Sequence, residues 1–143
     1  MPEVEVVYPP DQLRDLLAES DYLTLILPHT SRTAGLIGKA ELAAMKPGAV
    51  LINISRGTIV DESALIEALK SGHLGGAALD VFATEPLPPE SPLWDMPNVL
   101  ITPHSMSTAI GENELIVEIF CDNLRRFLAG EPLRNVFERA RGY

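Results

Sequence analysis

Residues Ala49 to Asp61 read AVLINISRGTIVD, and this stretch decides the fold. Apolar residues run from Ala49 to Ile54, broken only by Asn53, as in a strand buried on both faces. The run ends at Ser55-Arg56-Gly57, and Asp61 opens an amphipathic helical pattern. Strand, tight loop and helix make half of a βαβ unit. The loop leaves the strand's carboxyl end, where open α/β sheets bind ligands. Arg56 stands there beside a glycine that lets backbone approach closely. Its rigid guanidinium suits a planar carboxylate or phosphate.

The same grammar repeats outward from this stretch. Upstream, Tyr22 to Leu27 (YLTLIL) reads as a second buried strand, closed by Pro28 and followed by the polar loop PHTSRT. A brief helix over Lys39 to Met45 must end at Lys46-Pro47-Gly48, because proline cannot continue it. Further upstream, Val4 to Val7 reads as a short strand stopped by Pro9-Pro10. Asp11 reads as the cap of a helix with Leu13, Leu16 and Leu17 on one face. Downstream, a helix is expected from about Glu62 to Lys70, with Asp61 accepting the free N–H of Ala64. Leu65, Ile66 and Leu69 form its buried stripe, and Gly72 suits a left-handed stop. Gly75 to Phe82 is a further strand, and the proline-rich loop Ala83 to Pro97 has the length of a functional loop. Val99 to Thr102 is a short strand ending at Pro103-His104. A helix from about Ser107 or Glu112 to Ala129 follows, with Leu115, Ile119 and Leu128 among its apolar positions. The tail, Glu131 to Tyr143, shows no clear element. Alternating strands and helices predict an α/β fold: a parallel sheet with helices on both faces and right-handed crossovers.

The totals narrow the function. The chain has 143 residues, of which 46% are apolar, enough for one globular core. A formal net charge of -9 argues against a nucleic-acid groove, which needs a basic field. Cys121 is the single cysteine, so no intramolecular disulfide is possible, which fits a reducing compartment. No apolar run approaches the roughly 20 residues that span a bilayer. The N-terminus lacks the pattern of a signal peptide. The expectation is a cytoplasmic protein with no membrane partner and no metal site.

Three ionisable residues fall just past the carboxyl ends of successive strands: Arg56, Glu85 and His104. Parallel strands put those ends on one rim, so cation, carboxylate and imidazole should meet over one crevice. Arginine can hold a substrate carboxylate by two parallel hydrogen bonds. Histidine can exchange a proton near neutral pH. A carboxylate on its other ring nitrogen fixes the tautomer. The trio fits proton transfer at the oxygen of a 2-hydroxy or 2-keto acid. It carries no electrons, so redox chemistry would require a nicotinamide cofactor. Each residue has a plainer reading: Arg56 as a surface residue, Glu85 as loop polarity, and Pro-His as coincidence. His29 and His73 read as surface residues, Trp94 as a loop anchor and Cys121 as a small buried apolar residue. Asp80, near the end of an apolar strand, must find a hydrogen-bond donor.

The motifs LINISRGTIVDESALIEALKSGHLGGAALDVFATEP, SPLW and NVLITPH, in that order, closely resemble the signatures of D-isomer-specific 2-hydroxyacid dehydrogenases. The resemblance runs from about Ser20 to Tyr143. It implies a partial Rossmann (doubly wound) dinucleotide-binding domain over residues 1–130. It also implies a tail, 131–143, that returns toward a substrate domain. It implies that Arg56 binds the substrate carboxylate and helps polarise the carbonyl, that Glu85 is the acid paired with the histidine, and that His104 is the general acid/base. Asp80 matches the aspartate near the nicotinamide carboxamide. Leu27, Ile54, Ser55 and Ser107, with Arg56 and His104 beside them, lie where the family contacts the dinucleotide. The implied cofactor is NAD or NADP, the implied substrate a small 2-keto or 2-hydroxy acid such as glyoxylate or hydroxypyruvate, and the implied assembly a homodimer. The family's Gly-x-Gly-x-x-Gly turn, which meets the pyrophosphate at a helix N-terminus, has no match here. The chain therefore resembles the last part of a dehydrogenase, starting inside the dinucleotide domain. In the family, the strand matching Tyr22–Leu27 pairs with the glycine-turn strand. Here Val4–Val7 is expected to take that place, or two chains to pair edge to edge. The alternative function is a non-catalytic module that self-associates or binds a partner through that edge. A phospho-receiver-like domain would need an acidic cluster at the first strand's end and a lysine at the last, and has neither.

Overall fold

The apolar run around Leu51 forms the second of four strands. The structure is a computed structural model that describes residues 4–106 and 109–140. Ser107, expected as a cofactor contact, lies outside the described residues. The elements in chain order are α1 (Leu13–Glu19), β1 (Tyr22–Leu25), α2 (Lys39–Ala44), β2 (Val50–Asn53), α3 (Glu62–Lys70), β3 (Gly76–Leu79), β4 (Val99–Ile101) and α4 (Glu112–Ala129). Among the described residues the sheet is entirely parallel, in the order β1-β2-β3-β4. The α/β class expected from the alternation of elements, in the Rossmann-like form that the resemblance implies, is the one the chain adopts.

Register explains the core. Leu23, Leu51 and Ala77 lie side by side across the sheet, and Leu25, Asn53 and Leu79 form the next row. These rows point to one face and are buried with Leu17 of α1, Leu42 of α2, and Leu65 and Leu69 of α3. Each such leucine contributes about 2 kcal/mol by leaving water, so this face carries most of the fold's stability. On the other face Tyr22, Ile26 and Leu100 are exposed. Helix α4 buries none of its residues. Cys121, expected to be buried, is half-buried on it.

Several local expectations hold to the residue. Asp61 caps α3, its carboxylate accepting from Ala64 N at 3.1 Å. Gly72, with φ of +73°, takes the left-handed conformation just past the helix. Others change. Val4–Val7 forms no strand, and its three valines are exposed. A lone extended segment gains nothing without a strand to pair with, and the outer edge of β1 takes no strand from the described chain. Asp11 does not cap α1. It sits inside a 3-10 turn, Pro10–Gln12, and the position before α1 is Gln12, with no side-chain cap. The anchor of the Pro92–Asp95 turn is the fully buried Leu93 rather than Trp94, which is half exposed and donates from Nε1 to Pro88 O at 3.0 Å.

Candidate functional site

Loops leave β2, β3 and β4 at the same end of the sheet, because the strands are parallel. Arg56, Glu85 and His104 ride on these three loops. Each loop is held by its own hydrogen bonds. After β2, the buried Asn53 side chain organises the turn: its Oδ1 accepts from Ser55 N (3.1 Å) and Ser55 Oγ (2.8 Å), and its Nδ2 donates to Arg56 O (3.1 Å). The single polar residue in an apolar run is thus the one that fixes the loop. Arg56 Nη1 donates to Ser55 O at 2.6 Å.

Gly57 joins this loop to the next. A Cβ built there would lie 1.9 Å from Phe82 C and 2.6 Å from Ala83 N, so only glycine fits against that backbone. Phe82 N in turn donates to Glu85 Oε1 at 2.9 Å, which orients the carboxylate. The Glu85–Pro86 peptide is cis.

The other Glu85 oxygen, Oε2, lies 2.8 Å from His104 Nδ1. Burial pushes the Glu85 carboxyl up, but the His104 hydrogen bond, the Phe82 N–H and the charges of His104 and Arg56 outweigh it and hold it below the ordinary value. Arg56 therefore lies within electrostatic reach of the pair, on the same rim.

His104 has a left-handed backbone, φ +52°, unusual for a side-chain-bearing residue and costing about 1–2 kcal/mol. Asp80 holds the chain there. It is 3% exposed and accepts from Thr102 Oγ1 (2.5 Å), Ser105 N (3.0 Å) and Met106 N (3.0 Å). Burial opposes its charge, but these three bonds and the nearby His104 lower its carboxyl below the usual range. The donor that the sequence demanded for Asp80 is the loop that carries His104.

The expected cofactor-contact residues Leu27 and Ile54 lie just past β1 and β2 and are 39% and 36% exposed, apolar groups open at the rim. Ser55 is buried and turned toward Asn53, which leaves its backbone as the reachable part. A separate cleft of about 860 Å³ opens at the β1 end, lined by Tyr8, Leu13, Leu27, Pro28, Thr30 and Arg32, among others. Leu27 belongs to both rim and cleft, whereas Arg56, Glu85 and His104 do not line the cleft. Among the described residues no group of His, Cys, Asp and Glu could hold a metal ion.

The family model for the NAD binding domain of D-isomer specific 2-hydroxyacid dehydrogenases matches residues 2–105. The chain belongs to that family. The glyoxylate/hydroxypyruvate reductase B of Pectobacterium carotovorum is 51% identical over 123 residues, covering 86% of this chain and 38% of that protein. A D-isomer specific 2-hydroxyacid dehydrogenase from Xanthobacter autotrophicus, solved with NADPH and MES, superposes with a TM-score of 0.89 at 46% identity, covering 96% of this chain and 56% of that one. An NADPH-dependent glyoxylate/hydroxypyruvate reductase from Sinorhizobium meliloti, solved with NADP and sulfate, gives 0.85 at 36% identity, covering 100% of this chain and 48% of that one. The chain thus spans about half or less of the length of these relatives. All three carry enzyme names, and the alternative of a non-catalytic module finds no support among them.

Within this dehydrogenase domain His29 is exposed, as a surface residue should be, and it also joins the rim. His29 follows Pro28 just past β1, as His104 follows Pro103 past β4. Its Nδ1 lies 2.8 Å from Thr58 Oγ1, two residues beyond Arg56. His73, also read as a surface residue, ties α2 instead, with Nε2 3.0 Å from Leu42 O.

Proposed function

We propose that this chain is the nicotinamide-binding portion of an oxidoreductase that transfers a hydride between NAD(P)H and a small 2-keto or D-2-hydroxy acid. Glyoxylate and hydroxypyruvate are the proposed substrates. The observation that carries the reading is the 2.8 Å contact between Glu85 Oε2 and His104 Nδ1, on the same rim as Arg56. Family membership and the reductase names of the relatives support it.

The roles follow from the chemistry of each group. Glu85 occupies Nδ1, so Nε2 is the nitrogen left to give a proton to the substrate oxygen during reduction and to take it back during oxidation. The carboxylate also fixes the orientation of the ring through that bond. Arg56 offers a planar fork to the substrate carboxylate and positive charge toward the polarised carbonyl. The nicotinamide, when bound, supplies the hydride. Leu27 and Ile54 give it apolar surface, Ser55 offers backbone, and Asp80 retains acceptor capacity on Oδ2, which takes one donor from its own chain. The cleft beyond Leu27, with apolar walls and the Thr30 hydroxyl, suits the rest of a dinucleotide. Ser107 is proposed as a further contact. The tail 131–143 is proposed to return toward a substrate domain, and the assembly is proposed to be a homodimer in the cytoplasm. Among the described residues no helix is long and apolar enough to cross a membrane.

A chimera tests this directly. The Pectobacterium reductase, with its matching segment replaced by this chain, should reduce glyoxylate or hydroxypyruvate with NADH or NADPH. A folded chimera that binds cofactor but turns over neither acid would overturn the assignment.

A further inference from the structure

Glu62 is the first residue of α3 and has no part in the roles above. Its Oε2 accepts from Ala83 N at 3.0 Å, reaching from the helix start to the loop after β3. Ala83 follows Phe82, whose N–H orients Glu85, and Phe82 and Ala83 are the residues whose backbone lies against Gly57. On the other side, α3 is tied to the Arg56 loop through the short turn Gly57–Ile59 and the Asp61 cap. Glu62 therefore spans the two loops that carry Arg56 and Glu85. Gly57, with no Cβ, lets the two loops lie in close contact, and Glu62 bonds across from α3 to the second of them.

We infer that Glu62 is a positioning residue that sets the separation between the substrate-binding arginine and the Glu85–His104 pair. The inference rests on the functional reading above for what that separation is used for. The geometry suits the task. A carboxylate in the first turn of a helix lies favourably in the helix dipole. Charge-assisted bonds to backbone N–H are among the stronger hydrogen bonds. A misplacement of about 1 Å at a reacting centre can cost on the order of a hundredfold in rate, so a tether at this point has leverage without touching substrate.

The test uses the full 143-residue chain and needs no turnover, so it is independent of the chimera assay. Glu85 carboxyl and His104 imidazole resonances are followed by 13C and 15N NMR through a pH titration in three proteins. In Glu62→Ala the Glu85 titration should move up toward the ordinary carboxylate range, and the Nδ1 signature of the bond to Glu85 should weaken. Glu62→Gln keeps a carbonyl acceptor for Ala83 N–H and should retain the wild-type Glu85 titration. If alanine prevents folding, Glu62→Asp, one methylene too short to reach Ala83, is read in its place. Unchanged Glu85 and His104 resonances in the alanine or aspartate protein would overturn the inference. So would a glutamine protein that behaves like the alanine one.

Discussion

Replacing Asp80 by asparagine keeps the shape of the side chain and exchanges one acceptor for a donor. Asp80 Oδ1 takes two donors and Oδ2 one, so an amide must set its NH₂ against a backbone N–H or against the pair at Oδ1. A hydrogen bond to a charged group is worth about 1.5–3 kcal/mol, so Asp80→Asn should lower stability by about 2 kcal/mol in urea denaturation at neutral pH. The pH dependence has a definite sign. Asp80 and Glu85 both have carboxyls lowered in the folded state, so each stabilises the fold above its unfolded value. That contribution is lost as pH falls below about 4, the ordinary carboxylate range, and through the lowered values. The gap between wild type and Asp80→Asn should therefore shrink in acid. An equal gap at neutral and acid pH would show that Asp80 does not act through its charge. Glu85 is more exposed than Asp80, so its share is smaller.

Elements show what the sequence could say and what it could not. Asp61→Ala removes the α3 cap and should cost about 1 kcal/mol, read as a lower denaturation midpoint with unchanged slope. Gly57→Ala places a Cβ inside the Phe82 backbone, which cannot rotate away, and should cost about 3 kcal/mol or more. The two positions differ in legibility. The Asp61 cap is local: an acidic residue three positions before the amide it binds. The reason for Gly57 is a contact 25 residues away, which a neighbouring arginine does not reveal. The strands around Leu23 and Leu51 were legible because parallel strands read as apolar runs. The apolar runs overshoot the strands by one or two residues, since apolarity persists into Ile54 and Leu27 after pairing stops. Val4–Val7 has the composition of a strand but no neighbour, and pairing is a property of two segments. That Glu85 and His104 share a rim followed from reading the strands as parallel, and their pairing followed from the family resemblance. Their 2.8 Å contact, the Asp80 clamp and the His29–Thr58 bond depend on loop conformation, which no period encodes.

The whole molecule is one-sided. The helices α1, α2 and α3 bury one face of the sheet, while Tyr22, Ile26 and Leu100 are exposed on the other. Leu115, Ile116, Phe120, Phe127 and Leu128 are likewise exposed on α4. Exposed apolar area on this scale marks an interface in a folded protein. Sedimentation velocity should show concentration-dependent association of this chain, and a single monomeric species at high concentration would count against the homodimer. At the same scale, Arg56 and the Glu85–His104 pair sit at one end of a parallel sheet, and the proposed function reads them as a carboxylate-binding cation and a proton-transfer pair. The central claim is that these groups act together in one reaction. The kcat of the Pectobacterium chimera carrying His104→Ala measures this most directly. Loss of a positioned general acid/base should lower kcat by about 10²–10⁴-fold with cofactor affinity retained, and an alanine chimera that turns over keto acid at the parental rate would contradict it.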